Sequence, residues 1–375
     1  MSIHQKSVPA LLFFLFMITS GCGSAYEEST PDLTGFPEWS LTHEFDITEP
    51  DNVMFGNIFT VGVLSTMELI VPDYSSQQFY HFAADGSYLS TFSRQGGGPG
   101  EMDRINSIAI TENDDLAVFD SGLMRFTTFR QQQGRWEHTD IRTLDDSAPT
   151  IGQLFDGPGD HFFAVTNNVF SIDNLQTDER LMAMNQIDAE GRPVRDSLAV
   201  EVTNTHLVNV AGQGFSVRTI PGGVGRTNYF SVADRRYVVS ADSDAFAIRV
   251  MDTETDNRHK IRYAVEPVPL TEEEKQGILR TAGSNFRSQM RDKMPDYRRV
   301  IRSLLTDNRQ HIWVQITTTN DEEPNWVVLN IDGSPAGRLS IPQNAQVRAI
   351  LDDRIYALVR PDDAAPMIRV FSFSR

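Results

Sequence analysis

Phe92-Ser93-Arg94-Gln95-Gly96-Gly97-Gly98-Pro99-Gly100-Glu101 is the stretch whose reading decides the fold. Two similar runs of alternating apolar residues lie on either side of it. Its glycines allow positive φ or a close backbone approach, and Pro99 fixes φ among them, so the decapeptide is a shaped connection, neither helix nor strand. No Lys-Ser or Lys-Thr follows the glycines and no helical pattern opens after Glu101, which removes a phosphate-binding P-loop. The stretch marks the seam where one structural unit ends and the next begins.

Outward from the seam, the apolar period is mostly two, with turn residues every 8 to 12 positions, the pattern of an all-β sandwich, barrel or propeller. One strongly apolar strand recurs, centred near residues 70, 117, 163, 238, 313 and 356, at spacings of 47, 46, 75, 75 and 43. Three of these match a propeller blade, and the two long ones require insertions. A shorter strand precedes each apolar one, as in Ile105 to Ile110, and further alternating strands follow, several entering acid-glycine turns such as Asp85-Gly86 and Asp332-Gly333. Six units of four strands result: an all-β, six-bladed β-propeller. Its last unit stops after a third strand, Ile368 to Phe373, while Ser40 to Ile47 alternates without a blade of its own. The N-terminal strand is therefore expected to complete the last blade and close the ring.

Between blades four and five, Thr271 and Glu274 form a capping-box pattern, and Leu279, Ala282, Phe286, Met290 and Met294 recur at helical spacing until Pro295. One amphipathic helix is predicted over 271–294, inside a helical insertion at 266–297. The other long spacing, Asn167 to Asn228, shows no such pattern and reads as extended loops.

The seam, with Arg94, Gly96, Gly97, Gly98, Pro99, Gly100 and Glu101 followed by Ile105-Asn106-Ser107-Ile108-Ala109-Ile110, resembles the Gly-Pro-Gly-Glu junction of exported bacterial six-bladed β-propeller lipoproteins related to NHL-repeat proteins. Many members have Phe after the motif, where this chain has Met102. The resemblance extends over about residues 37 to 375 and implies a fold, since the family's functions are mostly unknown.

The chain also carries an address. Lys6, the apolar run Val8 to Ile18 and Thr19-Ser20-Gly21-Cys22 have the three regions of a secretory signal. The last four residues resemble the lipobox of bacterial lipoproteins, in which the cysteine is acylated, although Thr19 stands where Leu is usual. The sequence thus divides into a 1–21 signal peptide, a 22–37 tether rich in Ser, Thr, Pro and acid, and a 38–375 propeller. Lipidation is expected at Cys22, with anchoring in the bacterial cell envelope on the periplasmic or surface side of the outer membrane. As Cys22 is the only cysteine, no internal disulfide can form. With 51 acidic against 33 basic residues and a formal charge of −18, a nucleic-acid partner is excluded on electrostatic grounds.

No His-Glu-x-x-His, Gly-x-Ser-x-Gly or paired-cysteine motif occurs, so no metal, cofactor or catalytic residue is assigned. His161 and His311, each preceding an apolar strand, read as turn histidines. Around the inner strands lie Asn57 before Ile58, Arg104, Asn106, Asn228, Arg302 and Arg348. Polar groups brought from several blades to a channel mouth either satisfy one another and trapped water or bind a ligand. Three arginines in an acidic protein favour an anionic one. The first expectation is a membrane-anchored envelope module binding a small anionic or peptidic ligand, or another envelope protein. A propeller-scaffold hydrolase or lyase with its site in the channel is the alternative, and it requires His, Asp or Glu on several inner strands.

Overall fold

The structure, a computed structural model, describes residues 31–50, 54–145, 148–167, 180–203, 206–211, 214–220, 224–320, 323–362 and 364–375. The 1–21 leader, Cys22 and residues 23–30 lie outside the described residues.

After β1 (Ser40–Ile47), the chain lays down antiparallel four-stranded sheets one after another. Blade one is β2 (Gly62–Val63), β3 (Leu69–Asp73), β4 (Gln78–Phe82) and β5 (Tyr88–Phe92). Blade two is β6 (Ile105–Ile110), β7 (Leu116–Asp120), β8 (Arg125–Gln132) and β9 (Arg135–Thr143). Blade three is β10 (Ile151–Asp156), β11 (Phe162–Asn167), β12 (Arg180–Ile187) and β13 (Pro193–Thr203). A two-stranded hairpin, β14 (His206–Ala211) and β15 (Gly214–Thr219), then leads to blade four: β16 (Asn228–Ala233), β17 (Tyr237–Asp242), β18 (Ala247–Asp252) and β19 (Arg258–Arg262). Helices α1 (Glu272–Thr281) and α2 (Arg287–Asp292) separate it from blade five, β20 (Ile301–Thr306), β21 (His311–Ile316), β22 (Trp326–Asn330) and β23 (Pro335–Leu339). Blade six is β24 (Ala345–Leu351), β25 (Arg354–Val359), β26 (Met367–Ser374) and, as its fourth strand, β1.

The second strand of each blade reads as an unbroken apolar run because it is covered on both faces by neighbouring blades. Every residue of β3 and of β7 is buried. Among the described residues, six apolar clusters each fill one blade-to-blade contact, and a seventh belongs to the helical insertion. Ile70 and Phe79 meet Ile105 and Val118 between blades one and two. Tyr356 and Ile368 meet Val71 and Phe82 between blades six and one. With six blades and six apolar interfaces, the ring is closed.

Closure is velcro-like, as the sequence predicts. β1 pairs with β26 from Ser40 opposite Ser374 to Ile47 opposite Ile368, interrupted by a bulge between His43 and Phe45. Asp46 takes both donors of the Arg369 guanidinium at 2.8 and 2.7 Å. Within the 22–37 stretch expected as tether, the described part is docked on the ring. The Pro31 carbonyl accepts the Ala264 N–H at 2.8 Å, and Phe36 is buried edge-on against Tyr263. Trp39 then stacks on Phe373 at 5.2 Å, in a niche open only because residue 337 is glycine: a Cβ there would overlap the indole.

The seam is held by its own charges. Glu101 takes the Arg94 Nε–H and the Gly98 N–H, both at 2.8 Å, while Arg125 donates to the carbonyls of Gly98 and Glu101 at 2.9 and 2.7 Å. Gly100 sits at φ +74°, with the His138 ring against it, a position that disfavours any side chain.

Two insertions differ in detail from expectation. The capping box at Thr271 and Glu274 is present, but α1 ends at Thr281, where Thr281 Oγ1 bonds the Ile278 carbonyl and Ala282 turns extended. Gly283, Ser284 and Asn285 are weak helix formers, and the chain resumes helix only at Arg287, giving two short helices in place of one. The apolar stripe survives the break: Leu279, Ala282, Phe286 and Met290 are buried with Ile220, Val224 and Leu270. In the second long spacing, β14 and β15 form a hairpin where loops are predicted, and β13 runs for eleven residues.

Candidate functional site

The inner strands β2, β6, β10, β16, β20 and β24 neighbour one another around the channel. All begin at one end, where each connection arrives from the preceding blade, and all finish at the other, in the turns to the second strands. We term these the loop end and the turn end.

Carboxylates at the ends of second strands fix the loop end. Asp73 accepts the N–H groups of Gly56, Asn57 and Ser75 at 2.8–3.0 Å. Asp120 accepts those of Asp103, Arg104, Gly122 and Leu123 at 2.8–3.1 Å. The carbonyls of Asn57 and Arg104 in turn accept the N–H groups of Tyr74 and Ser121, each at 2.9 Å. Asn57 is thus the counterpart of Arg104, and this corrects one expectation. Asn57 and Ile58 precede the inner strand of blade one, which is only Gly62–Val63, and the Asp73 carboxylate takes the Asn57 N–H.

The same registers define one layer of the channel mouth. Ile105, Ile151, Asn228, Ile301 and Ala345 pair at or next to the last residue of their second strands, and Ile58 follows Asn57 correspondingly. The next residues are Phe59, Asn106, Gly152, Tyr229, Arg302 and Gln346. Asn106, Gly152 and Arg302 each sit at a β-bulge, and Arg348 sits at a bulge two residues deeper in blade six. Bulges re-aim side chains, and they recur where a strand must present one. Phe59, Tyr229, Gln346 and the paired Tyr74 and Arg360 escaped the sequence reading. Their signal is positional: Tyr74 and Arg360 each directly follow an apolar second strand, which ends at the loop end.

Contacts sort the six sequence candidates into three sectors. Between blades two and three, the Asn106 side-chain amide donates to the Ile151 carbonyl at 3.0 Å and so latches two blades, while Arg104 is exposed. Between blades four and five, Tyr229 donates to the Ile301 carbonyl at 3.3 Å, its hydroxyl pKa raised by burial against the nearby charges of Arg299 and Arg302. The Asn228 Nδ2 there is a buried donor without an acceptor. Between blades six and one, Arg348 and Arg360 both reach Gln346 Oε1, at 2.5 and 3.5 Å, and Arg360 also donates to the Ile58 carbonyl at 2.6 Å. The Arg360 guanidinium lies 5.4 Å over the Phe59 ring, which meets Tyr74 edge-on at 5.4 Å. Burial and then the charge of Arg360 pull the Arg348 pKa below its ordinary value, while burial pushes the Tyr74 hydroxyl up to about 12. Among the described residues, Arg104, Arg302, Arg348 and Arg360 form no ion pair.

The turn end differs in kind. Adjacent turns are hooked together by Ser65 to Asp114 at 2.8 Å, Gln310 to Asp234 at 2.8 Å, and a reciprocal Asn308–Asp352 pair at 3.1 and 2.9 Å. Arg235 pairs with Glu112, and the half-buried Asp156 beside them is raised to about 6 by desolvation, against the attraction of Arg235. His311 lies here, far from the channel mouth: its Nδ1 donates to Asp307 at 2.8 Å, and Asp307 also accepts Trp313 Nε1–H at 2.9 Å. His161 likewise contacts Gln186 within its own blade. Among the described residues, no three His, Cys, Asp or Glu side chains gather as a metal-binding set. None of the described helices is long and apolar enough to cross a membrane.

Comparison with known proteins agrees with this architecture. A family described as a 6-bladed β-propeller (DUF5128) matches residues 48–211. No curated protein matches in sequence. The chain is similar to the crystal structure of an exported protein from Bacteroides fragilis, with a TM-score of 0.53 and 11% identity over 90% of this chain and 95% of the other. A DUF4221 family member from Bacteroides vulgatus aligns with a TM-score of 0.49 and 10% identity over 90% of this chain and 98% of the other. At these identities the likeness concerns the fold.

Proposed function

We propose that this chain is an exported binding module of the bacterial cell envelope, anchored through acylated Cys22, which receives an anionic ligand at the loop end of its channel. The observation that carries this reading is the set of arginines at that end, Arg104, Arg302, Arg348 and Arg360, without carboxylate partners among the described residues, in a chain of formal charge −18. Guanidinium groups suit carboxylates and phosphates. Export agrees with the signal-like N-terminus and with the similar Bacteroides fragilis protein, described as exported. The mouth layer of Phe59, Asn106, Gly152, Tyr229, Arg302 and Gln346 offers recognition groups and no convergent acid or base, so binding is preferred to hydrolase or lyase chemistry.

Crosslinking in intact cells followed by mass spectrometry tests the reading. Adducts should map to the loop-end segments 54–61, 93–104 and 297–302, and should be lost from the double variant Arg104→Gln, Arg302→Gln. Adducts confined to the turn end would refute it. Membrane fractionation of Cys22→Ser tests the anchor: that variant should become soluble, and continued membrane association would refute acylation.

A further inference from the structure

We propose that Arg348 and Arg360 of blade six, with Tyr74 and Phe59 of blade one, form a subsite for an oxyanion, carboxylate or phosphate, borne on an aromatic stem. The inference rests on the reading of the loop end as the ligand face and assigns that ligand's chemistry and sector.

Three observations carry it. First, two guanidinium groups converge on one neutral oxygen, Gln346 Oε1. The chain does not lack acids, and half-buried Arg226, Arg236 and Arg369 are matched by Asp242, Asp252 and Asp46. A like-charge pair kept together without a counter-ion is a site awaiting one. Second, Arg348 Nε is a buried donor with no acceptor, a group whose burial is costly until an acceptor arrives. Third, the pair is rigid before any ligand binds. Arg360 is pinned by the Ile58 carbonyl and the Phe59 ring, and the bulge at Arg348 holds that residue deeper than the mouth layer. A preorganised site loses less entropy on binding.

The stem follows from the walls. Phe59 is 46% exposed at the mouth, with Arg360 over one part of its ring and Tyr74 against another, so an aromatic group entering beside the anion meets an aromatic surface. The Tyr74 hydroxyl stays protonated at neutral pH and can donate to the same oxyanion. A polyanion is disfavoured, since its remaining charges would face an acidic protein.

The test is calorimetric titration of the full chain with inorganic phosphate, phenyl phosphate, benzoate and benzyl alcohol. Phenyl phosphate or benzoate should bind, and their ratio identifies phosphate or carboxylate as the preferred head. Benzyl alcohol should not bind, and inorganic phosphate should bind more weakly than phenyl phosphate. Arg348→Gln and Arg360→Gln should each weaken the aromatic anion by roughly tenfold, as loss of a charge-assisted pair does. Phe59→Ala should remove the preference for phenyl phosphate over inorganic phosphate while leaving inorganic phosphate binding intact, which keeps the test informative if an arginine variant misfolds. Loss of binding in Arg104→Gln, Arg302→Gln but not in Arg348→Gln, Arg360→Gln would overturn this subsite while leaving the loop-end reading standing. Binding untouched by either pair would overturn both, and failure of every probe to bind the unaltered protein would overturn the subsite.

Discussion

The two ends of the channel are built from the same six strands and treat charge in opposite ways. At the turn end, short connections are hooked across blades by Ser65–Asp114, Glu112–Arg235, Gln310–Asp234 and Asn308–Asp352, so each of these carboxylates accepts from a donor on a neighbouring blade. At the loop end, acids are used to pin backbone, as Asp73 and Asp120 do, and four arginines keep their donors free of carboxylates. Stability and the proposed recognition are thereby separated along one axis, the usual division between a rigid scaffold and functional loops.

The largest effect expected is at the seam of the ring, which supports both ends. Deleting residues 31–47 removes the fourth strand of blade six together with buried Phe36, Trp39 and Ile47, and should abolish cooperative folding as followed by thermal melting. Deleting 23–30 alone should leave the melting temperature unchanged. Equal melting temperatures for the two truncations would break the ring-closure claim. Trp39→Ala, which empties the niche against Phe373 and Gly337, should cost about 3–5 kcal/mol in a denaturant titration.

Next comes the turn end. Asp307→Ala leaves the His311 and Trp313 donors without their acceptor and should cost about 3 kcal/mol. Its carboxyl pKa is lowered: burial alone would raise it, but the bonds from His311 and Trp313 prevail. The stability it supplies is therefore present above the unfolded value near 4 and is lost as pH falls through the lower folded value.

Asp156 gives the opposite sign. With a folded pKa of about 6, its contribution is most favourable below about pH 4 and declines as pH rises from about 4 to 6. Asp156→Asn should raise stability at pH 7 by about 1 kcal/mol, the shift being discounted for residual solvent contact, and should have little effect at pH 4. Destabilisation at pH 7 would show that the ionised form is needed to hold the Glu112 turn.

The smallest stability effect belongs to the loop end: Arg104→Gln, Arg302→Gln should change unfolding free energy by less than about 0.5 kcal/mol. A larger loss would make those arginines structural and erase the contrast between the ends.

Much of the fold was legible because second strands are buried on both faces, which writes runs such as Leu69-Ile70-Val71 and Leu116-Ala117-Val118 into the chain at blade spacing. Ring closure was legible from an orphan strand and an unfilled blade. The hairpin of 206–219 and the break at Gly283 were not, since two six-residue strands and a stripe that survives a turn leave no distinctive period. Of the proposed site, Arg302, Arg348 and Arg104 are candidates that their places beside inner strands suggest. Tyr74 and Arg360 are not, because their proposed importance arises from blade six meeting blade one across almost the whole length of the sequence. Cys22, the residue on which the proposed anchoring rests, lies outside the described residues.

Hydrogen exchange of the full chain with and without saturating phenyl phosphate tests the separation of the two ends most directly. Exchange should slow in the loop-end segments 58–61, 74–77 and 346–348, and stay unchanged in the turn-end segments 65–68, 112–115, 234–236 and 307–311. Protection appearing in the turn-end segments, with the loop-end segments unaffected, would contradict it.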